Sequence, residues 1–326
     1  MSNRVGIPWV LAAACVTVAT AALRTDSLVP PPPAADARLV WTQVHALPDG
    51  RTRGPLGVGV QLHGLAVRGA SIYAVAPGQG FRSDDGGAVW EELLGPRGLA
   101  SIEFGDSGMV IAGSYQGMLF HSVDAGSTWD SIKPNDASPI LGLAIAGRDA
   151  FAASRHAILR SRDAGATWQR VPLPKLTMAS VAIRGRIVLA SGTGGVVVRS
   201  VDGGESFATL WTDTYLPLHS LAFVDDSTVV AVGEKGTIMR STDAGAHWTR
   251  VVSPARATLL GVAFADDKVG LAVGLWGEAV RTEDAGLTWT RERTGTDAHL
   301  QAVAPRSGGG FYAAGLREVI LRGTPR

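Results

Sequence analysis

Acidic side chains that stand in pairs are, by type, the residues of this chain best suited to acid–base chemistry. The pairs are Asp84-Asp85, Asp225-Asp226 and Asp266-Asp267. Hydrolysis of a glycosidic bond needs two carboxyl groups that face each other across a cleft. Each pair here stands where the sequence predicts a turn, and solvated turns explain the pairs better than catalysis does. We therefore expect no catalytic residue and no enzymatic activity.

Few other side chains could hold a metal ion. The seven histidines show no pair at the spacing of metal ligands. Cys15 is the only cysteine, and it lies in an apolar N-terminal stretch. We expect no metal site and no cofactor, and we expect stability that does not depend on disulfides.

Six aspartates, including Asp85, belong to a recurring pattern, Ser/Thr-x-Asp-x-Gly-x-x-aromatic. Its copies, 39 to 41 residues apart, begin at Ser83, Ser122, Ser161, Ser200, Ser241 and Thr282. A nearly constant period of this size is typical of repeat architectures, in which one unit is too small to bury its own apolar face. We number units one to six after these copies.

Each copy combines a turn with an anchor. A short aspartate can accept backbone N–H bonds in an Asx-type turn, and the glycine two places later supplies a positive φ. The aromatic residue then begins the next strand and is large enough to fill the gap between neighbouring units. The structural pairs are Asp85 and Trp90, Asp124 and Trp129, Asp163 and Trp168, Asp202 and Phe207, Asp243 and Trp248, and Asp284 and Trp289.

The rest of each period predicts three more short strands. In unit five the strand-like runs are His219 to Phe223, Thr228 to Val232, Thr237 to Arg240 and Trp248 to Val252. Leu300 to Arg322 supplies three strands of a seventh unit, and Arg38 to Val44 resembles the missing fourth. The sequence therefore predicts an all-β fold: a seven-bladed β-propeller of four-stranded antiparallel blades, its ring closed by the N-terminal strand on the last blade.

The N-terminal residues differ in composition from the repeats. Arg4 precedes an uncharged run, and Ala19-Thr20-Ala21 offers a cleavage site, so residues 1–23 are interpreted as a signal peptide or an N-terminal membrane anchor. Lipidation at Cys15 is a third, weaker interpretation. Residues 24–37 form a Pro/Ala-rich tether, and residues 38–326 form the propeller. We expect an exported domain in the periplasm or on a lumenal side, either soluble after cleavage or tethered.

Charge places further limits on partners. The formal net charge is +1, and lysine and arginine are scattered along the chain rather than clustered. Nothing in this distribution indicates a nucleic-acid footprint, so we expect no nucleic-acid partner, and we expect a monomer. One arginine precedes the turn in most units, which suggests either a binding ring or, as we favour, bonds to turn carbonyls and stacking on aromatics. The series is Arg82, Arg160, Arg199, Arg240, Arg281 and Arg322, with His121 in unit two.

The residues between the second and third strands are our candidates for partner binding. They differ from unit to unit, and in a propeller they gather around one mouth of the central channel. Trp276 is the main candidate, because it is a tryptophan outside the repeated pattern. Its alternative role is to fill the channel mouth. An alternative site is the Pro48 to Gln61 connection with Arg51 and Arg53. The candidates are Gln79, Tyr115, Gln116, Arg155, His156, Thr193, Glu234, Lys235, Trp276, Glu278, Arg317 and Glu318.

The chain resembles a known family in four features: the repeated Arg-Ser-x-Asp-x-Gly-x-x-Trp boxes, the seven units, the leader and the proline tether. Residues 39–326 are similar to the Asp-box (BNR-like) propellers typified by the photosystem II stability and assembly factors. The resemblance implies a non-catalytic factor that binds a membrane protein complex, or its assembly intermediate, on the exported side. For a bacterial relative it implies another envelope client, such as an exporter of the resistance-nodulation-division type. Asp-boxes also occur in sialidases and other glycosidases, which provide the alternative function.

Overall fold

A computed structural model describes residues 39–44, 61–106, 108–134 and 138–325. The described chain is built of short antiparallel strands, joined in four places by single turns of 3₁₀ helix, so the all-β prediction is confirmed. The segments 1–23, 24–37 and 48–60, on which we predict a leader, a tether and an alternative site, lie outside the described residues. In chain order the strands are β1 Leu39–Gln43, β2 Gly64–Arg68, β3 Ser71–Val75, β4 Gly80–Ser83, β5 Glu91–Glu92, β6 Leu99–Phe104, β7 Val110–Ser114, β8 Leu119–Ser122, β9 Asp130–Ile132, β10 Gly142–Ala146, β11 Asp149–Ser161, β12 Gln169–Arg184, β13 Ile187–Gly192, β14 Val196–Ser200, β15 Ala208–Trp211, β16 Leu218–Phe223, β17 Val229–Gly233, β18 Ile238–Ser241, β19 Thr249–Val251, β20 Leu259–Phe264, β21 Gly270–Gly274, β22 Ala279–Thr282, β23 Thr290–Arg291, β24 Leu300–Pro305, β25 Phe311–Gly315 and β26 Ile320–Pro325.

Apart from β1, the strands form sheets in which sequence neighbours are also spatial neighbours. Among the described residues there are five four-stranded sheets and one six-stranded sheet. In unit five the observed strands β16 to β19 lie within a residue or two of the predicted runs. The sheet orders are β2-β3-β4-β5, β6-β7-β8-β9, β10-β11-β12-β13-β14-β15, β16-β17-β18-β19, β20-β21-β22-β23 and β1-β26-β25-β24.

The six-stranded sheet differs from the prediction of separate four-stranded units. Strand β12 is 16 residues long; its first part pairs with β11 and its last part with β13, so it belongs to both unit three and unit four. The connecting sequence Val171 to Thr177 contains two prolines and no glycine. Proline and the residue before it favour extended backbone, so the chain stays extended where other units turn.

The N-terminal strand joins the last sheet. Strand β1 pairs with β26 in antiparallel register, with Trp41 opposite Gly323. A Cβ atom at Gly323 would lie 2.9 Å from the indole ring, so only glycine leaves room for Trp41 at this position. The indole N–H of Trp41 also donates to Glu292 of unit six at 3.3 Å.

Seven clusters of buried apolar side chains lie between neighbouring units. In one of them Trp248 and Met239 of unit five pack with Leu189 and Val197 of unit four. Another joins Tyr312 of unit seven to side chains of unit one. Each box aromatic belongs to such a cluster or packs against one, and therefore fills a gap between units: Trp90, Trp129, Trp168, Phe207, Trp248 and Trp289.

The first strands of the units line one central cavity of about 180 Å³. Consecutive first strands contact one another, and β24 also contacts β2. Each of these strands contributes one small residue to the cavity lining, because the strands approach closely here; a Cβ atom at Gly142 would lie 2.9 Å from the Ser180 Cα. These residues are Gly64, Ser101, Gly142, Ser180, Ser220, Gly261 and Ala302.

Candidate functional site

The six aspartate turns make one set of hydrogen bonds. In unit five the Ser241 hydroxyl donates to Asp243 at 2.8 Å and accepts the Gly245 N–H at 2.9 Å. The His247 N–H donates to the same aspartate oxygen at 2.9 Å. In unit two the hydroxyl and the N–H of Thr128 both donate to Asp124 and lower the pKa of that carboxyl to about 2. The turn itself therefore occupies these carboxylates.

Two consecutive residues of every turn have positive φ. The predicted glycine has φ between 78° and 91° in all six copies. The residue before it also has positive φ, which the sequence did not suggest, because it is alanine in four copies: Ala125, Ala164, Ala244 and Ala285. Positive φ turns the carbonyl of this residue toward the preceding unit, where it serves as a hydrogen-bond acceptor.

The arginine that precedes the turn uses that carbonyl. The Arg199 Nε donates to Ala244 O at 2.8 Å, and the Arg240 Nε donates to Ala285 O at 2.8 Å. Arg82 makes the corresponding bond to Ala125, at 3.3 Å. Each bond joins one unit to the next. These contacts favour the structural interpretation of the arginine series.

Other members of the series pair with acids. Arg160 is buried and pairs with Glu205 of the next unit at 2.9 Å. Arg281 pairs with Glu283 of its own turn at 2.6 Å. At the junction of units seven and one, the Tyr312 hydroxyl instead donates to the carbonyl of Gly86 at 3.0 Å.

The paired acids also serve turns. Asp225 accepts the N–H groups of Ser227 and Thr228, at 2.7 and 2.6 Å. Asp266 accepts those of Lys268 and Val269, at 2.9 and 2.7 Å. Within the described ranges, no group of three or more His, Cys, Asp and Glu side chains is placed to hold a metal ion.

The candidate binding residues lie at one edge of the sheets, which we call the mouth face: the segments that join second to third strands and fourth strands to the next unit. Antiparallel strands reverse direction, so both kinds of segment emerge at the same end. Gln79 lies between β3 and β4, and Tyr115 and Gln116 lie between β7 and β8. Arg155 and His156 differ from the prediction, because they lie inside β11, where the register shifts and His156 has a φ of 63°.

In four units the mouth segment is a single 3₁₀ turn. The turns are Thr193–Gly195, Glu234–Gly236, Leu275–Gly277 and Leu316–Glu318. The middle residue of each has positive φ and is Gly194, Lys235, Trp276 or Arg317. Three side chains that ordinarily avoid this backbone region are therefore presented at the same point of three successive units.

Trp276 is held at the mouth with most of its ring in solvent. The side chain is 68% exposed, and its φ is 61°. The Trp276 N–H donates to His299 Nδ1 at 2.9 Å, and the two rings meet edge to face at 4.4 Å. Burial and the charge of Arg317 lower the pKa of His299. Arg317 pairs with Asp297 at 3.1 Å, so Trp276, His299, Arg317 and Asp297 form one surface group.

Two acidic candidates are less accessible than expected. Glu278 is nearly buried and forms a pair with Arg291 at 3.1 Å, while accepting the Arg256 N–H at 3.1 Å. Glu318 is 9% exposed. Both therefore lie behind the outer surface, whereas Gln116, Arg155, Thr193, Lys235, Trp276 and Arg317 are exposed.

Sequence reasoning missed several exposed apolar residues on the mouth face. Trp211 is 69% exposed, Tyr215 89% and Val252 91%. All three lie at or just after the end of a fourth strand, outside both the box and the segments that join second to third strands. Trp211 is a tryptophan outside the box register, the same signal that selects Trp276, and that signal could have found it.

The central cavity carries two histidines. Burial lowers the pKa of His63 and of His219 to about 4. His63 Nδ1 lies 2.9 Å from the Tyr115 hydroxyl, and Gln301 of unit seven also bonds to this histidine. Both rings are therefore neutral at pH 7, and the cavity offers polar but uncharged groups.

Comparison with known proteins gives similarity of structure only. No protein-family model matches the chain, and the curated proteins contain no match. The solved structure "YCF48 from Cyanidioschyzon merolae" is 17% identical, with a TM-score of 0.66, over 86% of this chain and 98% of that one. The structure "YCF48 bound to D1 peptide" is 18% identical, with a TM-score of 0.71, over 90% and 99%.

A third similar structure belongs to a protein of another kind. "Streptogramin B lyase structure" is 12% identical, with a TM-score of 0.73, over 90% of this chain and 100% of that one. At these identities the likeness shows a shared propeller-like fold.

Proposed function

We propose that this chain is an exported, non-catalytic, protein-binding propeller that assists the assembly or stability of a membrane protein complex. Its fold is proposed to be a ring of seven blades, closed by β1 on β26. A client docks on the mouth face, with Trp276, Tyr115, Arg155 and Arg317 as its main contacts.

Three observations support the ring. Seven apolar clusters lie between units, and one of them joins the seventh unit to the first. First strands from all seven units line one cavity. Strand β1 also occupies the place of a fourth strand beside β26. Pairing the two ends of the chain protects a strand edge that would otherwise be exposed.

The exposure of Trp276 is the main evidence for the docking surface. A tryptophan with positive φ gives up backbone stability, and a 68% exposed ring recovers little of it by burial within this chain. Tryptophan and arginine are the commonest anchors of protein interfaces. The edge contact with His299 and the nearby Arg317–Asp297 pair hold this anchor in place before a client arrives.

The nature of the client comes from the similar structures and from the family resemblance. A YCF48 structure contains a D1 peptide, so a propeller of this fold can hold a peptide. Protein binding by this chain is part of the proposed function. The client is a membrane protein complex or its assembly intermediate, and an envelope exporter is the alternative client if the host has no photosystem.

Crosslinking in intact cells, followed by identification of the captured protein, tests the proposal. We expect Trp276→Ala combined with Arg317→Ala to abolish capture while the melting temperature stays nearly unchanged. The matched control is Val123→Ala with Leu287→Ala, two exposed apolar residues on the opposite, turn-bearing face, which should capture as the natural chain does. Capture that survives the Trp276 and Arg317 double substitution would place the site elsewhere.

A separate assay tests the non-catalytic part. We expect no turnover of sialosides or xyloglucan oligosaccharides by the purified protein. Turnover that disappears when a single carboxylate is substituted would favour the glycosidase alternative instead.

A further inference from the structure

A groove of about 340 Å³ lies on the mouth face of unit five. Lys235 and Arg250 stand on its walls, and Val251, Val252 and Ala255 give it an apolar lining. Its floor is tight, since a Cβ atom at Gly236 would lie 2.5 Å from the carbonyl oxygen of Ala255. The groove thus combines an apolar surface with two cations.

Within the described chain, neither of the two cations has an acidic partner. Among the residues that the structure describes, the side chains of Lys235 and Arg250 make no ion pair or hydrogen bond. Unit six provides the comparison. Its Arg291 holds the place of Arg250, opposite Val280 as Arg250 is opposite Met239, and pairs with Glu278 at 3.1 Å.

The missing partner can be identified by register. Glu278 stands three residues before the arginine that precedes the unit-six turn, and the residue at this place in unit five is Thr237. Unit three carries an arginine at the same position of its fourth strand, Arg170, which donates to the His156 carbonyl at 3.2 Å. Arg250 alone among these three arginines is left without an acceptor in the described chain.

Unit six holds the connector that forms one wall of the groove. The Arg291 Nε donates to Pro254 O at 2.9 Å, and the Arg256 N–H donates to Glu278 at 3.1 Å. These bonds fix the connector that carries Val252, which is 91% exposed. Since β19 is the outermost strand of its sheet, one side of the groove is also open to an extended chain.

We propose that this groove binds an extended peptide segment with alternating acidic and apolar residues, whose carboxylate takes at Arg250 and Lys235 the place that Glu278 takes at Arg291. The adjacent apolar side chain covers Val252 and Ala255. A concave site of this size accommodates one or two side chains of a peptide, whereas the flat surface of a folded partner would not enter it. The inference rests on the proposed function in taking the partner to be a protein, and it adds the chemistry of the segment recognised.

Isothermal titration calorimetry on the purified full chain tests the inference. The probe is the acetylated and amidated hexapeptide Val-Glu-Val-Glu-Val-Glu, and its glutamine counterpart is the control peptide. We expect the glutamate peptide to bind about tenfold more tightly than the glutamine peptide, because a charge-assisted bond to arginine is lost in the latter. Free glutarate should bind more weakly than the peptide. Glutarate affinity equal to that of the peptide would identify a small carboxylate as the ligand and overturn the peptide inference.

Two substitutions distinguish binding in the groove from non-specific electrostatic binding. Arg250→Gln should weaken binding of the glutamate peptide about tenfold. Thr237→Glu should bind the glutamate and glutamine peptides with equal affinity, because the new carboxylate supplies the internal partner that unit six has. Thr237→Gln is the matched neutral control, and its affinity for the glutamate peptide should lie within about twofold of that of the natural chain. Equal affinity of the natural chain, Arg250→Gln and Thr237→Glu, or no heat of binding to the natural chain, would overturn the inference.

The outcome is distinguishable from that of the proposed function. The Trp276→Ala, Arg317→Ala variant should bind the hexapeptide with unchanged affinity. Peptide binding together with failed client capture would overturn only the proposed function. Client capture that depends on Trp276 together with absent peptide binding would overturn only the groove.

Discussion

Replacing Trp248 with alanine should destabilise the fold strongly, because this side chain fills a gap between two units. It is 9% exposed and packs with Leu189 and Val197 of the preceding unit. Its indole N–H donates to the Gly245 carbonyl at 3.0 Å. Truncation of a buried tryptophan costs about 3 to 5 kcal/mol. For a domain of this size, a loss of that magnitude lowers the melting temperature by about 6 to 20 °C.

The two parts of the effect can be separated by a smaller change. Trp248→Phe keeps most of the apolar contact and removes the N–H donor, as Phe207 does naturally in unit four. We expect the free energy of unfolding of this variant to fall by about 1 kcal/mol, the ordinary net contribution of one hydrogen bond, together with a small loss of packing. The remaining loss in Trp248→Ala then measures the contact between units.

Urea denaturation followed by circular dichroism, with calorimetry as a second probe, measures these losses. Trp276→Ala is the matched control, since the same residue type is 68% exposed there. We expect the control to change the free energy of unfolding by less than about 0.5 kcal/mol. A Trp248→Ala protein as stable as the natural chain, or a Trp276→Ala protein equally destabilised, would refute the assignment of Trp248 to the interior and Trp276 to the surface.

Three further predictions concern the turns and the strand β1. Ala244→Gly should leave stability unchanged or raise it by up to about 1 kcal/mol, because relief of a positive φ outweighs the flexibility of glycine; a clear loss in thermal denaturation would contradict the backbone conformation at Ala244. Hydrogen bonds from the turn hold the pKa of Asp124 and of Asp163 at about 2 in the folded state, below the unfolded value of about 3.9. Their stabilisation is therefore complete above pH 4 and is lost as pH falls toward 2; melting temperatures between pH 2 and 5 should fall less steeply for Asp124→Asn than for the natural chain. Deletion of residues 38–45 removes β1 and should cause aggregation, while deletion of residues 1–36 should leave a folded, soluble domain; light scattering that shows equal behaviour for the two proteins would count against the closed ring.

Residue types and their spacing along the chain are sufficient to predict the turns and the strands. Each aspartate turn is made by atoms within eight residues, such as the bonds among Ser241, Asp243, Gly245 and His247. Hydrogen bonds of such short range depend on residue type and spacing, so the pattern predicts them. Strand positions follow for the same reason, because alternation and β-branching act along a few neighbouring residues.

The contacts and the exposure of side chains that face another unit depend on how the units pack together. Arg250 and Arg291 occupy equivalent places in the sequence pattern, but within the described chain Arg291 meets a carboxylate and Arg250 does not, because the fold brings Glu278, which lies just before β22, beside Arg291. The exposure of Trp211 and Tyr215, the burial of Glu278 and the continuous strand β12 likewise depend on what packs against them. Such contacts join residues that are often ten to forty positions apart and vary from unit to unit, so the period of the sequence places these residues without fixing what they touch.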